Sequence, residues 1–562
     1  MKISAPVVLI LLLYFLSIAC EYQGQSSSSE KPHYETPSLV VGIIIDQMRP
    51  DYVYRYWDHY GDDGFKRFVN EGFIFRNAHF RHLQTATGPG HAASLTGATP
   101  SIHGLIGNSF YIRELDRTVN VIEDIDSRYI GVGSFADYDG EKSPNNMLTT
   151  TVGDELHLHT GERSKTIGIS RKDRGAILPA GHTGDAYWYE RASGNFITSS
   201  YYRDLLPDWL IEFNNLDLSQ EYLKQTWNPL LPIEKYVESR PDDSPYERPF
   251  SGMDTPTFPI NLSYLVDSHD HGPELLLGTP FLDKILLELG KAAIEGEKLG
   301  RRGVPDILSI SLSAADRIGH MFGPASKQLQ DYYIRLDRYI ADFLSYLDQE
   351  FGMENILIYL TSDHGAVYNS QYLSDLGVPT GHDGLDIGVN RYIQEKIQAF
   401  LKDKYGVNIL LTYSNQNIYL DHDLIYNNEL DLEQIRKEIK RFSLTLKPVG
   451  GALTADVLNR SEFTEGIRAK AMYGYHQKRS GDVVVWLNPQ TVGGTGGVGT
   501  THGSPWTYDT HAPLIFFGYD IQRGESNERV HVSDIASTLS VFLNSPFPSG
   551  NIGNPMNDYI NK

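Results

Sequence analysis

The chain has 562 residues, and its 71 acidic against 49 basic residues give a formal net charge of -22. This length is several times that of a typical domain, so it allows several domains or one large domain with insertions. The acidic balance repels polyanions at long range and lacks the basic surface of a nucleic-acid-binding protein, so no nucleic-acid partner is expected.

Residues 1–20 have the pattern of an export signal. An apolar stretch over residues 7–18, too short for a comfortable membrane span, leads to Cys20, the only cysteine in the chain. An intramolecular disulfide and a cysteine-based zinc cluster are therefore excluded. The residues before Cys20 resemble a bacterial lipobox, with Ser17 where such motifs usually carry leucine. We expect an exported protein, periplasmic or anchored at the cell envelope by lipid on Cys20, with ordinary cleavage as the alternative.

The chain after the export signal divides into a tether and a folded body. Residues 21–37 are polar and include a run of serines, which predicts a flexible tether. From residue 38 to residue 562 we expect a single catalytic domain. Continuous apolar runs in it, at residues 39–45, 307–312, 356–360 and 514–517, are typical of strands buried on both faces of a parallel sheet.

Helical patterns lie between these runs. Over residues 328–348 the apolar positions recur at three- and four-residue spacing, which predicts a helix. The combination indicates an α/β fold with a mainly parallel central sheet flanked by helices on both faces. The stretches at about 176–300 and 366–500 are rich in Tyr, Pro, Gly and Asn, and we interpret them as insertions that cap the site.

Ligands of such sheets bind beyond the carboxyl ends of the strands. Asp46 directly follows the first run, and Asp316 trails the second by a short loop. Asp363 and His364 follow the third run. The sequence therefore places acidic and imidazole side chains repeatedly where a ligand site is expected.

These side chains match the preferences of zinc, which takes histidine nitrogen and carboxylate oxygen and in catalytic sites keeps one position open. Six residues could build two such sites: Asp316, His320 and His502 for one, and Asp46, Asp363 and His364 for the other. Taken alone, each fragment is more typical of a surface salt bridge or an Asx-capped turn. Their shared position at strand ends favours the metal interpretation.

The motif Thr85-Ala-Thr-Gly-Pro-Gly-His91 follows a predicted strand over residues 77–83 and leads into a helix predicted to begin at His91. A threonine hydroxyl is a poor nucleophile unless a metal lowers its pKa. Beside a zinc ion and at a helix N-terminus, whose amides face an incoming anion, Thr87 could attack a phosphoryl group. The alternative role for Thr87 is that of a helix cap.

Two cations follow the apolar run at residues 166–169. Lys172 and Arg174 alternate along the chain and could present a point charge and a planar two-donor fork to one phosphoryl group. The alternative is an ordinary solvated pair on the surface.

The ordered motifs of the chain resemble those of the phosphate-irrepressible, PafA-type alkaline phosphatases of the alkaline phosphatase superfamily. The matching segments are Asp46-Gln-Met-Arg-Pro-Asp-Tyr52, Thr85-Ala-Thr-Gly-Pro-Gly-His91, Ser101-Ile-His-Gly-Leu-Ile-Gly-Asn108, Lys172-Asp-Arg-Gly-Ala-Ile-Leu-Pro-Ala-Gly-His182, Asp316-Arg-Ile-Gly-His320, Ser362-Asp-His-Gly365 and Thr501-His-Gly-Ser504. The resemblance extends from about Leu39 to the mid-540s. The sequence departs from the family locally at Gly88-Pro89, which follows Thr87, where relatives often have alanine and an aliphatic residue. This difference bears on the reaction rate and does not bear on the type of reaction.

The resemblance implies an alkaline-phosphatase-like sandwich with capping insertions, and a phosphoric monoester hydrolase that acts on a broad range of small-molecule phosphomonoesters. It implies two zinc ions per chain and no magnesium, because Lys172 stands where better-known alkaline phosphatases keep a magnesium site. It also implies ligand and substrate-contact roles for the following residues: Asp316, His320 and His502 on one zinc, Asp46, Asp363, His364 and Thr87 on the other, and Asn108, Lys172 and Arg174 on the phosphoryl oxygens. In the expected mechanism Thr87 attacks phosphorus in line, and water then hydrolyses the phosphothreonine.

The alternative functions are other enzyme activities found on the same fold and a binding protein without catalytic activity. A phosphodiesterase or nucleotide pyrophosphatase shares the motif, but a diester has one negative charge, so Lys172 and Arg174 fit a monoester dianion better. A sulfatase needs a Cys/Ser-x-Pro-x-Arg motif, which is absent around Thr87, and phosphoglycerate mutase relatives use a serine in the cytoplasm. A non-catalytic tethered binding lipoprotein is the alternative from a different class. We interpret His182, His382 and His511 as structural.

Overall fold

The structure is a computed structural model that describes residues 35–132, 137–269, 271–381, 385, 388–491, 493 and 497–560. The predicted export signal, the lipobox at Cys20 and almost all of the predicted tether lie outside the described residues. Thr36–Lys562 forms one compact unit. Among the described residues, no helix has both the length and the apolar character that crossing a membrane requires.

A ten-stranded sheet forms the centre of the molecule. Its strands are β1 (Leu39–Ile45), β2 (Phe73–Phe75), β3 (Tyr129–Ile130), β4 (Thr166–Ser170), β5 (Asp185–Tyr189), β6 (Phe196–Ser199), β7 (Asp306–Leu312), β8 (Ile356–Thr361), β9 (Leu514–Gly518) and β10 (Gly524–Ser526). Their order across the sheet is β10-β2-β9-β8-β1-β7-β4-β5-β6-β3. The run from β8 to β5 is parallel, whereas β9 and β6 pair antiparallel at its two sides. The predicted α/β class with a mainly parallel sheet is confirmed.

Helices cover both faces of this sheet. They include α1 (Thr87–Thr96), α2 (Asp173–Ala180), α3 (Pro280–Glu297), α4 (Ala314–Phe322), α5 (Lys327–Phe351) and α6 (Asp534–Phe542). Leu39, Val41 and Ile43 of β1 pack with α3, α4 and α5 on one face. Val40 and Ile44 pack with α1 and α6 on the other, so every residue of β1 is buried. Side chains of a strand alternate between faces, which explains why a strand covered on both sides has a continuous apolar sequence.

The helix predicted over residues 328–348 is present and slightly longer, as α5. It begins after Ser326, whose hydroxyl accepts a hydrogen bond from the Leu329 amide at 3.2 Å, the usual N-cap arrangement. It ends before Gly352, which has a φ of 79° that a residue with a side chain rarely adopts.

The predicted insertion over residues 366–500 contains a second, smaller sheet with helices packed against it, and this part has its own hydrophobic core. Its sheet is antiparallel, with strands in the order Leu410–Ser414, Asn417–Leu420, Val483–Leu487 and Val449–Thr454. The helices Val389–Tyr405 and Leu432–Ser443 contribute Ile393, Ile397 and Ile435 to that core. We refer to this part as the cap. In the other predicted insertion, residues 176–300, β5 and β6 extend the central sheet and α3 packs against it, so those segments belong to the central layers.

Two predicted elements near the nucleophile motif differ in the structure. Of residues 77–83 only Ala78–His79 is a strand, in a small sheet with His511–Ala512 and Val530–His531, because its partners there are only two residues long. Helix α1 begins at Thr87, four residues earlier than predicted. Proline is tolerated in a first helical turn, where its missing N–H has no partner to lose.

Candidate active site

The candidate residues gather at the carboxyl edge of four neighbouring parallel strands, β8, β1, β7 and β4. Their ends are level, since Ile44 pairs with Thr361 on one side and with Ser311 on the other, and Ser311 pairs with Ser170. The residues that follow these strands therefore leave the sheet side by side, as the sequence predicts.

Asp316, His320 and His502 form the first ligand cluster, whose donor atoms lie within 4.8 Å of one another. Asp316 and His320 are one turn apart on α4, and His320 Nε2 is 3.1 Å from Asp316 Oδ1. His502 Nε2 is 3.7 Å from the same oxygen. Three donors converge on one point, as one metal ion requires.

Asp46, Asp363 and His364 form the second ligand cluster, again within 4.8 Å. His364 Nε2 lies 3.5 Å from Asp46 Oδ1 and 3.5 Å from Asp363 Oδ2. Within the described residues, Asp46 Oδ1, Asp363 Oδ2 and His364 Nε2 are buried without a hydrogen-bond partner. Burying unpaired carboxylate oxygens is costly, so this cluster fits a divalent cation bound among them.

The three histidines present the same nitrogen to these clusters. Nδ1 of His320 lies 2.8 Å from the Thr500 carbonyl oxygen, and Nδ1 of His502 lies 2.8 Å from that of Thr85. Nδ1 of His364 lies 3.0 Å from the carbonyl oxygen of the residue after it. A carbonyl oxygen only accepts, so each Nδ1 carries the proton and each Nε2 offers its lone pair, as metal coordination requires.

The protonation states follow from burial. Burial lowers the pKa of His364 to about 4. Burial and the charge of His364 lower the pKa of His502 well below its usual value. Burial also raises the pKa of Asp363 well above its usual value, and the negative charge of Asp46 adds to this. The neutral imidazoles of His364 and His502 and the mutually repelling carboxylates of Asp46 and Asp363 are what a positive ion at this place stabilises.

The two clusters adjoin, and Gln47 connects them. The imidazole rings of His364 and His502 stack with their centroids 3.5 Å apart. The Gln47 backbone N–H donates to Asp363 Oδ1 at 3.1 Å, and its side-chain amide donates to Asp316 Oδ1 at 2.9 Å. Sequence reasoning did not select Gln47. The available signal is its position directly after Asp46, where the chain leaves β1 with a φ of 64°.

Thr87 is the first residue of α1 and lies beside both clusters. Ala86 precedes the helix, and no side chain caps its N-terminus, so the helix-cap role considered for Thr87 is not observed. A Cβ atom on Gly90 would lie 2.2 Å from the Asp363 carbonyl oxygen. Glycine at this position therefore lets the N-terminus of α1 approach the end of β8 closely, which brings Thr87 to the second cluster.

The ammonium group of Lys172 lies between the two clusters. Its Nζ is 2.7 Å from Asp46 Oδ2 and 2.7 Å from Asp316 Oδ2. It also donates a hydrogen bond to Thr87 Oγ1 at 3.1 Å. One buried cation thus contacts a carboxylate of each cluster and the candidate nucleophile.

The structure places Asn108 beside the residue that follows Thr87, the candidate nucleophile, but shows fewer contacts for Arg174. The Gly88 N–H donates to Asn108 Oδ1 at 2.7 Å, which leaves the Asn108 amide N–H groups for another acceptor. Arg174 lies in the first turn of α2, where its hydrogen bonds are with Asp173. Within the described residues no hydrogen bond joins its guanidinium to Thr87, and its buried Nε has no partner.

His91, which sequence reasoning left without a role, supports Thr87 from one helical turn away. Its Nδ1 lies 2.9 Å from the Thr87 carbonyl oxygen, and its Nε2 lies 2.9 Å from Ser311 Oγ. His182 and His511 instead contact backbone carbonyl oxygens, of Thr149 and Arg76 respectively. His382, the third unassigned histidine, lies outside the described residues.

A cavity of about 380 Å³ adjoins the first cluster. Asn108, His320 and His502 line it on the side of the central sheet, and Asn390 and Gln416 line it from the cap.

The chain is similar to known proteins over most of its length. Residues 40–509 match the family described as type I phosphodiesterase / nucleotide pyrophosphatase. Alkaline phosphatase PafA of Elizabethkingia meningoseptica is 38% identical over 530 residues, which cover 94% of this chain and 95% of that protein. Alkaline phosphatase PhoV of Synechococcus elongatus is 39% identical over 531 residues, covering 93% of this chain and 93% of that protein. The crystal structure of wild-type alkaline phosphatase PafA matches with a TM-score of 0.88 at 37% identity, covering 93% of this chain and 99% of that one.

Proposed function

Since the chain belongs to the type I phosphodiesterase / nucleotide pyrophosphatase family of the alkaline phosphatase superfamily, we propose that it hydrolyses phosphate monoesters with Thr87 as the nucleophile. The protein is a phosphatase that acts on small-molecule phosphate esters, as its alkaline phosphatase relatives imply. The observation that carries the assignment of Thr87 is the hydrogen bond from Lys172, which also contacts a carboxylate of each ligand cluster.

The enzyme uses a metal cofactor, and we propose two zinc ions per chain without magnesium. Asp316, His320 and His502 would hold one ion, and Asp46, Asp363, His364 and the Thr87 oxygen would hold the other. Bound there, the ions would lower the pKa of a coordinated hydroxyl and offset negative charge on the phosphoryl group. The resemblance implies Lys172 in place of a magnesium ion, and its ammonium group lies 2.7 Å from a carboxylate oxygen of both Asp46 and Asp316.

The chain's own groups account for binding and orientation of the phosphoryl group. The first-turn amides of α1 attract an anion at the helix N-terminus. The side-chain oxygen of Asn108 accepts a hydrogen bond from the Gly88 amide. This orients the side-chain N–H groups of Asn108 away from Gly88, where they can act as donors. Lys172 stabilises the deprotonated Thr87 oxygen by its charge, and the partnerless Nε of Arg174 is available for a phosphoryl oxygen. Preorganised donors of this kind act most strongly on the charge of the transition state.

Two displacements complete the reaction. Thr87 Oγ forms a bond to phosphorus while the bond from phosphorus to the leaving alcohol oxygen breaks, which gives a phosphothreonine. A water molecule then attacks phosphorus from the opposite side, and the bond between phosphorus and Thr87 Oγ breaks. This releases inorganic phosphate and restores the Thr87 side chain. Each step exchanges one P–O bond for another, so no further reactant is needed.

The description of the matched family keeps phosphodiester hydrolysis as the second candidate. A diester carries one negative charge, whereas a monoester dianion carries two. A site with two cationic side chains, Lys172 and Arg174, therefore favours the monoester. The test compares the rates of the zinc-loaded enzyme on phenyl phosphate and on methyl phenyl phosphate. We expect the monoester to react faster, and a faster diester would assign the protein to the second candidate.

The remaining proposals concern the N-terminus and the organisation of the chain. We propose export with lipid attachment at Cys20, which mass spectrometry of the mature N-terminus tests, since a free amine without acyl chains would contradict it. We also propose one catalytic domain over residues 38–562, in which the cap covers the site.

A further inference from the structure

A two-residue turn at the tip of a cap hairpin reaches the active site. The strands Leu410–Ser414 and Asn417–Leu420 pair directly at Ser414 and Asn417, and Asn415 and Gln416 connect them. Both connecting residues are left-handed, with φ of 48° and 62°. This is the geometry of a tight hairpin turn, but a glutamine in it is uncommon, because a side chain at positive φ is strained. Such strain persists where the surroundings fix it, often at functional sites.

The tip contacts the chain beside two of the site residues. The Asn415 side-chain amide donates to the carbonyl oxygen of Ser109, the residue after Asn108. The Gln416 side-chain amide donates to the carbonyl oxygen of Gly503, the residue after His502, at 2.5 Å. The hairpin therefore bridges the two walls of the cavity that adjoins the first ligand cluster.

The oxygen of the Gln416 side chain is unpaired among the described residues. Gln416 is 8% exposed, and its Oε1 is buried without a hydrogen bond within the described residues. Its orientation is fixed, because the Gly503 carbonyl oxygen and Gln84 Oε1 accept from Nε2. If the side-chain oxygen and nitrogen of Gln416 were exchanged, its oxygen would face the Gly503 carbonyl oxygen, and two acceptors cannot form a hydrogen bond. The residue thus holds a buried acceptor that no described group satisfies, on a side chain that lines the cavity.

The cavity around this acceptor has a lining suited to a neutral, hydroxylated group. Five of its lining residues carry side-chain amides: Gln84, Asn108, Asn390, Asn415 and Gln416. No lysine or arginine is among the described residues that line it. Apart from the metal ion proposed beside His320 and His502, an anionic leaving group would find no lysine or arginine among the described lining residues, whereas alcohol hydroxyls pair readily with amides.

We propose that Gln416 determines specificity for the leaving group, by accepting a hydrogen bond from one of its hydroxyls. The preferred substrates are phosphate monoesters of hydroxylated alcohols, such as polyol or sugar phosphates. This inference rests on the proposed monoesterase function, since it places the leaving alcohol in the cavity beside His320 and His502. A site built to bond a hydroxyl discriminates against the analogue that lacks it, because its buried acceptor then stays unpaired.

The test measures kcat/KM for glycerol 1-phosphate and for propyl phosphate, which lacks the two free hydroxyls. Intrinsic differences between the two esters cancel when the ratio of the two constants is compared between enzymes. We expect the wild-type ratio to exceed that of Gln416→Leu by about five- to tenfold, the contribution of one hydrogen bond. Gln416→Asn should lower the ratio as well, because it withdraws the oxygen by one methylene while asparagine tolerates the left-handed backbone.

The matched control is Gln371→Leu, on the helix Ser370–Asp375, where the exposed amide bonds Asp375 at 2.8 Å. Its ratio should equal that of the wild type. An unchanged ratio in both Gln416 variants would overturn the inference and leave the phosphatase function standing. If the metal-loaded wild type hydrolysed neither ester, the proposed monoesterase function would fail together with the inference.

Discussion

The ammonium group of Lys172 donates a hydrogen bond to the hydroxyl of Thr87 across 3.1 Å. The same nitrogen lies 2.7 Å from carboxylate oxygens of Asp46 and Asp316, which belong to different ligand clusters. A buried lysine in this position lowers the cost of gathering the acidic residues and places a positive charge beside the hydroxyl of Thr87, the proposed nucleophile. Its removal should therefore affect both the chemistry and the preference for a dianion.

Replacing Lys172 with methionine should lower kcat/KM for phenyl phosphate by about 10²–10³-fold, as the loss of one charge-stabilising donor does. The loss for methyl phenyl phosphate should be smaller, because a diester carries one charge less. Lys224→Met is the control, since Lys224 is exposed and pairs with Glu221 on the surface. Equal losses on both substrates would show that Lys172 does not distinguish their charges.

The number of metal ions is testable by removing one histidine from each cluster. His320→Ala and His364→Ala should each lower the bound zinc from two ions to one per chain, because each removes a ligand from a different site. The double variant should bind none. Inductively coupled plasma mass spectrometry of the purified variants gives the counts, and His182→Ala, whose ring bonds the Thr149 carbonyl oxygen, is the control. Loss of both ions from either single variant would contradict two separate sites.

Much of this organisation could be predicted from the sequence, for local reasons. The sequence of β1 is apolar throughout because both faces of the strand are buried. A continuous apolar run of this length therefore indicates a strand in the interior of a parallel sheet. Asp46 directly follows β1, and Asp363 and His364 follow β8 after Ser362, so their convergence required only that the strands be parallel neighbours. These features need no knowledge of distant contacts.

Features that depend on distant contacts could not be predicted. The start of α1 was missed because Gly88-Pro89-Gly90 has the local propensity of a turn, while the packing of Gly90 on the Asp363 carbonyl keeps it helical. Gln47 acquires its role from a backbone turn that points its amide at Asp316. Likewise, the place of Gln416 follows from how the cap docks, which the spacing of residues along the chain does not reveal.

The close approach of α1 to β8 predicts that Gly90→Ala lowers activity. The added Cβ would lie 2.2 Å from the Asp363 carbonyl oxygen, so the helix or the strand end must move. A displacement of about 1 Å in a reacting group can cost about 10²-fold in rate, and we expect a decrease in kcat of that order. At Gly61 an added Cβ would meet only Asp337 Oδ2 at 3.5 Å, so Gly61→Ala should retain activity. Full kcat in Gly90→Ala would contradict the packing argument.

A buried ion network in the cap predicts a pH-dependent stability. Burial raises the pKa of Asp482, but the hydrogen bond from His422 and the charges of Arg113 and Arg436 outweigh it and hold the pKa below its usual value. A lowered folded-state pKa contributes stability above the unfolded pKa of about 4, and this is lost as the pH falls further. Asp482→Asn should cost about 3–5 kcal/mol at pH 7.

Urea unfolding of the wild type and of Asp482→Asn at pH 7 and pH 3.5 measures this effect. The difference in free energy of unfolding between the two proteins should be smaller at the lower pH. Asp423→Asn, at an exposed position next to His422 in the helix His422–Asn427, should change stability little at either pH. A difference that grows toward low pH would show that Asp482 is not stabilised as a carboxylate.

The most direct test of the account is turnover by Thr87→Ala, with metal content measured in the same preparation. The variant should retain zinc through the other ligands and lose at least about a thousandfold in kcat on phenyl phosphate, because no other hydroxyl replaces the nucleophile. Acid quenching of the wild type during turnover should trap phosphate on the peptide that contains Thr87. Normal turnover by a metal-replete Thr87→Ala enzyme would contradict the covalent mechanism.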